Sequence, residues 1–172
     1  MRDYWRTQPR VPAGNPEGGQ WTQSGVISYL KNISHMTDGK GLEALVLTYG
    51  RHWTPAKHDY PMERAKECFK NAFLLCETYP ELTYVEGFAI SEIVGIPFHH
   101  AWAVDKKSKV IDVTWEDGVE YFGVPFNQDY IRDLMLTKGT YGVFDFMSNE
   151  FRKMVRYNKI EEGIIPYKWR RK

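Results

Sequence analysis

The sequence predicts an α+β fold, and three observations predict it. Ala65, Cys68, Phe69, Ala72 and Cys76 recur at helical spacing and form one apolar stripe. Three short runs of β-branched or aromatic residues follow, Tyr84 to Ile90, Phe98 to Val104 and Val110 to Trp115, each bounded by glycine, proline or charge. Helical patterns return at Asp129 to Leu136 and Asn149 to Tyr157, so the order is helices, a small sheet, then helices.

Residues 1–25 hold Pro9, Pro12 and Pro16 among glycines with no apolar period, which predicts an arm or linker that Trp5 and Trp21 tether. Residues 26–172 then form a single domain. Between Val26 and Leu47, Ile27, Leu30 and Ile33 have helical spacing, and Gly39 with Gly41 interrupts the run, giving a short helix or a strand pair. For the Cys68 helix, Asp59 is the candidate N-cap and Pro61 suits an early helical position, while Tyr79 and Pro80 end it.

A chain of 172 residues is long enough for one sizeable core, and 42% hydrophobic with 15% aromatic residues argues against extensive disorder. Lys and Arg number 23 against 22 acidic residues, a formal charge of +1, so no global field draws the chain to nucleic acid. Four of the five residues from Lys168 to Lys172 are basic, which reads as a solvated terminal run. No run approaches a membrane span and the N-terminus lacks a signal peptide's apolar core, which predicts a cytoplasmic protein without membrane partners. Cys68 and Cys76 lie eight residues apart on one predicted helix, about 12 Å at 1.5 Å per residue, too far to bridge. Two free thiols fit a reducing compartment.

Chemistry concentrates where ionisable groups interrupt apolar runs, because such groups are costly unless partnered. His100 sits in Ile96 to Val104 and Asp112 in Val110 to Trp115. With Asp105 to Lys109 as a hairpin connection, Val104 pairs with Val110, Trp102 faces Asp112 and His100 faces Thr114. His100 and Asp112 then become diagonal neighbours on one face. A slip of one residue would separate them. If the Cys68 stripe packs on that same face, sulfur meets imidazole. An imidazole beside a thiol stabilises thiolate, and a carboxylate on the other ring nitrogen fixes tautomer and orientation.

Glu67-Cys-Phe-Lys-Asn-Ala72, Tyr84-Val-Glu-Gly-Phe88, Pro97-Phe-His-His-Ala-Trp-Ala-Val-Asp105 and Val110-Ile-Asp-Val-Thr-Trp115 together resemble the core of the transglutaminase-like superfamily. The resemblance covers residues 67–115 in the family's order: a cysteine heading a helix, a strand histidine in a His-Ala-Trp setting, then an Asp-x-Thr strand. It implies a papain-like core in which a Cys-bearing helix packs on a small antiparallel sheet bearing His and Asp. It also implies Cys68 as nucleophile, His100 as general base and acid, and Asp112 as the residue orienting it. Two departures stand out: a helix starting near Pro61 puts Cys68 in the second turn, where the helix dipole helps a thiolate less, and the family's aromatic oxyanion partner has no single match. The Cys68 backbone N–H, with Trp53 or Tyr60, would supply the oxyanion donors. The segment Val11 to Thr22 resembles stretches of phage head-associated and toxin-like proteins, which implies a mobile-element origin.

Cys76 has no ionisable companions and reads as core, and His99 alternates away from His100 toward the surface or the core edge. Glu86 reads as a charge at the solvent edge of a strand, with a substrate contact as the rival reading. Trp102 and Trp115 are expected to pack over the site's apolar wall. The chain has no Cys-x-x-Cys or His-x-x-x-His pair and no phosphate-loop glycine spacing, so neither metal nor nucleotide cofactor is expected. The resulting expectation is thiol-dependent acyl transfer or amide hydrolysis through a thioester, acting on a peptide, protein or small amide or ester. The rival is a non-catalytic binding or structural module that retains the fold.

Overall fold

The computed structural model describes residues 25–39, 41–139, 141–144 and 159–166. The expected arm up to residue 24, the helix expected at 149–157 and the basic tail lie outside the described residues. The described part is α+β: two helices, a strand, a third helix, four further strands and a fourth helix, with a short 3-10 turn at Lys159–Gly163. Helices α1 (Gly25–Met36) and α2 (Leu42–Tyr49) are separated by the glycine break expected at Gly39 and Gly41, both at positive φ.

The sheet is antiparallel and five-stranded, in the order β1 (Arg51–Trp53), β5 (Gly118–Phe126), β2 (Thr83–Ser91), β3 (Pro97–Val104), β4 (Val110–Ile111). The expected register holds, with Val104 opposite Val110. The third expected strand is shorter than its apolar run. Asp112 ends it by taking the Thr114 and Trp115 N–H groups on Oδ1 at 2.9 and 3.1 Å, a local turn that competes with the ladder.

Strand parity divides the core into two layers. On one side, Tyr84, Phe88, Ala101, Ala103, Phe122 and Val124 pack beneath the helices, meeting Leu30, Val46, Phe73 and Ile131. On the other, Trp53, Val85, Ala89, Trp102, Val104 and Tyr121 form an aromatic layer that Trp115 joins. The row through His100 carries glycine on the next two strands, since Gly87 faces both His100 and Gly123. A Cβ on Gly123 would lie 2.7 Å from the Trp102 ring, so this row stays bare for the indole to lie across it.

Helix α3 (Cys68–Thr78) starts at Cys68, not near Pro61. The preceding segment is held elsewhere: Glu63 N–H donates to the Val113 carbonyl at 2.7 Å, and Lys66 adopts φ 69°, which no right-handed helix accommodates. Helix α4 (Gln128–Lys138) begins at a capped end, where the Asn127 side chain accepts from Asp129 and Tyr130 N–H, and closes at Gly139 in the left-handed conformation.

Glu86 is not a solvent-edge charge. It is fully buried beneath the helices and accepts four bonds: Tyr84 hydroxyl at 3.0 Å and Val143 N–H at 2.6 Å on Oε2, His99 Nε2–H at 3.0 Å and Phe144 N–H at 2.8 Å on Oε1. These bonds fasten the 141–144 segment across α3, where Tyr141 meets Phe73. A buried carboxylate survives here because donors satisfy both oxygens. Replacing it with alanine should cost about 3 kcal/mol or more, since each orphaned buried donor costs about 1–3 kcal/mol. Chemical denaturation of Glu86→Ala measures this, and a loss under about 1 kcal/mol would contradict the clamp.

Candidate functional site

Each site residue is positioned by a different element. His100 comes from the middle of β3, with Gly87 opposite it on β2, and is 1% exposed on the aromatic face. Its Nε2–H donates to Asp112 Oδ2 at 2.7 Å. Trp115 lies flat on the imidazole, with ring centroids 3.9 Å apart and planes 12° from parallel, and so keeps water off the His100–Asp112 bond.

The sulfur reaches the imidazole by a route other than the one expected. Helix α3 packs on the opposite face, where Phe69 meets His99 and Ala72, Phe73 and Cys76 join Ala101 and Ala103. Of its residues, Cys68 at the head is the one that acts on His100, adding to the rise of the imidazole's pKa. Because Nε2 serves Asp112, the ring's Nδ1 is left for sulfur. The meeting is possible because Cys68 heads the helix at the β3 side of the sheet, where β4 pairs only with Ala103 and Val104.

Asn71, one turn into α3, holds this junction together. Its Nδ2 donates to the Arg64 carbonyl at 2.8 Å and to Thr114 Oγ1 at 3.0 Å, linking the approach to Cys68 with the turn that Asp112 makes. The N-cap, Glu67, forms no side-chain cap bond; its carboxylate pairs with Lys70 at 3.0 Å and Arg64 at 3.2 Å. The first-turn N–H groups and the positive end of the helix lie at the Cys68 end, where they would receive an oxyanion.

The electrostatics follow from burial and bonding. Burial pulls the His100 pKa down, but the bonds and charges of Asp112 and Cys68 overcome this and raise it to about 9. Burial pushes the Asp112 carboxyl up, yet His100, the Thr114 N–H and Tyr121 hold it below the ordinary range. Between the ordinary histidine value of 6.5 and about 9, the folded protein therefore binds a proton that the unfolded chain releases. The stability contributed by the pair should be complete below about pH 6.5 and vanish as pH rises through about 9. Asp112 acts at the other end: its contribution is present above the ordinary value of 3.8 and disappears as pH falls through its lowered value. Urea midpoints that fall between about pH 6.5 and 9 in the native chain, but not in His100→Gln, are the expected result.

Several contributors escaped the sequence reading. Tyr121, on the unpredicted strand β5, donates its hydroxyl to Asp112 Oδ2 at 2.8 Å. His58 Nε2–H donates to the Asp112 carbonyl at 3.0 Å. Of the two expected oxyanion donors, the Trp53 indole N–H is occupied by the Gly123 carbonyl at 3.1 Å, whereas Tyr60 packs against His58 and Tyr79. A cleft of about 270 Å³ opens beside Asp112, walled by Pro55, His58 and Tyr60 on one side and Trp115 and Tyr121 on the other. His99 lies at the core edge, bound to Glu86, and Cys76 is buried, with burial and the Glu77 charge pushing its thiol far up. Among the described residues, no group of three or more His, Cys, Asp or Glu could hold a metal ion, and no helix is long and apolar enough to cross a membrane.

Comparison with models of known protein families, with curated proteins and with solved structures finds no match to this chain.

Proposed function

We propose that this chain is a cysteine-nucleophile acyltransferase or amide hydrolase with a transglutaminase-like, papain-like core. The observation that carries the reading is the buried His100–Asp112 hydrogen bond of 2.7 Å beside Cys68, which heads its helix and adds to the rise of the imidazole's pKa. Neutral packing does not account for a buried imidazole between a thiol and a carboxylate as simply as an activated nucleophile does.

In the proposed reaction the Cys68 thiolate attacks the carbonyl carbon of an amide or ester. The oxyanion is received at the helix N-terminus, with the Cys68 backbone N–H as donor. As the C–N or C–O bond breaks, the His100 imidazolium gives its proton to the leaving amine or alcohol, and a thioester remains on sulfur. Water or an amine then attacks the thioester, passing a proton to His100 and restoring the thiolate–imidazolium pair. Asp112 holds the ring so that Nδ1 faces the sulfur throughout. Peptides, protein side-chain amides and small amides or esters are the candidate acyl donors.

The test is an acyl adduct. Incubating the full chain with cell extract or with activated ester probes, then weighing peptides, should place an acid-stable acyl group on Cys68 and none in Cys68→Ala. An unmodified Cys68 that also resists alkylation would instead favour an inert binding module.

A further inference from the structure

The strand β5 brings a tyrosine to the same carboxylate oxygen that holds the histidine. Asp112 Oδ2 accepts from His100 at 2.7 Å and from Tyr121 at 2.8 Å, while Oδ1 accepts two backbone N–H groups. A carboxylate offers about four acceptor sites, so all are filled. The geometry points to Tyr121 as a positioning residue that divides Asp112 Oδ2 with His100, limiting the carboxylate's grip so that the imidazolium can release its proton.

The physical argument rests on competition at one oxygen. Each donor draws electron density from the carboxylate, so a second donor on Oδ2 weakens the bond made by the first. The phenol also points the positive end of its O–H dipole at the atom that stabilises the imidazolium. Without it, Asp112 would hold the proton on His100 more tightly and make it a poorer acid toward a leaving group. Tyr121 can do this across the working range because burial, then the charge of Asp112, pushes its hydroxyl well above the ordinary tyrosine value. Its place is fixed by the fold: it faces Ala89 on β2 and Trp53 on β1, packs edge-on to Trp102 at 5.0 Å, and its hydroxyl lies where a Cβ on residue 118 would fall, so only glycine fits there.

The groups facing His100 are Cys68 from α3, Asp112 and Trp115 from the turn after β4, Trp102 from β3 and Tyr121 from β5, with Asp117 adding its charge at Tyr121. Of those facing the imidazole, Cys68, Asp112 and Tyr121 titrate. A tyrosine that only fills space would leave the imidazole's titration where it is.

This role rests on the acyl-transfer reading, but its test does not require turnover. The His100 ring would be titrated by NMR in the full native chain, in Tyr121→Phe, and with 3-fluorotyrosine placed at position 121. Loss of the hydroxyl should move the midpoint upward from about 9 by roughly half a pH unit. The fluorinated ring, a stronger donor, should move it downward. An unchanged or lowered midpoint in Tyr121→Phe would overturn the proposal. Should that variant fail to fold, the fluorinated protein decides: a downward shift supports the role and any other result defeats it. Repeating the titrations in Cys68→Ala keeps the two questions apart. A shift there without any acyl adduct on native Cys68 would leave Tyr121's coupling standing and sink the enzyme, whereas an adduct without the shift would do the reverse.

Discussion

At pH 6, iodoacetamide should alkylate Cys68 on the order of a hundredfold faster than Cys76, and His100→Ala should abolish the difference. An ordinary thiol, with a pKa of about 8.5, is only about 0.3% thiolate at that pH, so pairing with an imidazolium leaves room for a gain of two orders of magnitude. Cys76 provides the internal reference. It is 1% exposed, packed among the apolar residues under the helices, and burial followed by the Glu77 charge opposes its ionisation. Cys68 differs in carrying 9% exposure at the head of its helix and in contributing to the raised pKa of His100. Quantitative mass spectrometry of both peptides over time measures the ratio. Equal, slow labelling would show that the sulfur and the imidazole form no ion pair.

The second large effect concerns stability. Asp112→Ala should destabilise the fold by about 3–5 kcal/mol, the usual consequence of removing one partner from a buried ion pair. The alanine would orphan His100, the Tyr121 hydroxyl and the Thr114 and Trp115 N–H groups at once. Cys68→Ala should cost no more than about 1 kcal/mol, because it removes one atom at the start of the helix, while eliminating adduct formation. Urea denaturation of the two variants separates them. A near-neutral Asp112→Ala would mean that the carboxylate is not engaged as the geometry has it.

The hairpin from His100 to Asp112 was legible in the sequence because both strands carry β-branched and aromatic residues, and because Asp105 to Lys109 closes a loop of fixed length. Pairing Val104 with Val110 follows from that length alone. The start of α3 was not legible. Asp59, Pro61 and Ala65 match a helix N-terminus in composition, but the Glu63 bond to Val113 and the turn at Lys66 are tertiary events that no local spacing encodes. The displacement matters, because it puts Cys68 at the helix head, where the dipole acts in full.

Strand β5 was missed for a related reason. Gly118, Gly123 and Pro125 are residue types that ordinarily interrupt a strand, yet Pro125 lies past the end of β1, where the sheet asks nothing of its missing N–H, and the glycines make room for the Tyr121 and Trp102 rings. Tyr121 was hidden with the strand. Glu86 was misjudged because its four donors come from separate parts of the chain, two of them main-chain groups near residue 143, which side-chain patterns cannot reveal.

The glycine row beside His100 makes the imidazole's position sensitive to residues that never touch it. A methyl group at position 123 would press the Trp102 indole back toward its neighbour on the same strand, tilting the ring that must face sulfur. Spatial tolerance around His100 is thus set two strands away. Drift at that remote spot would disturb the proposed site while leaving Cys68, His100 and Asp112 in the chain.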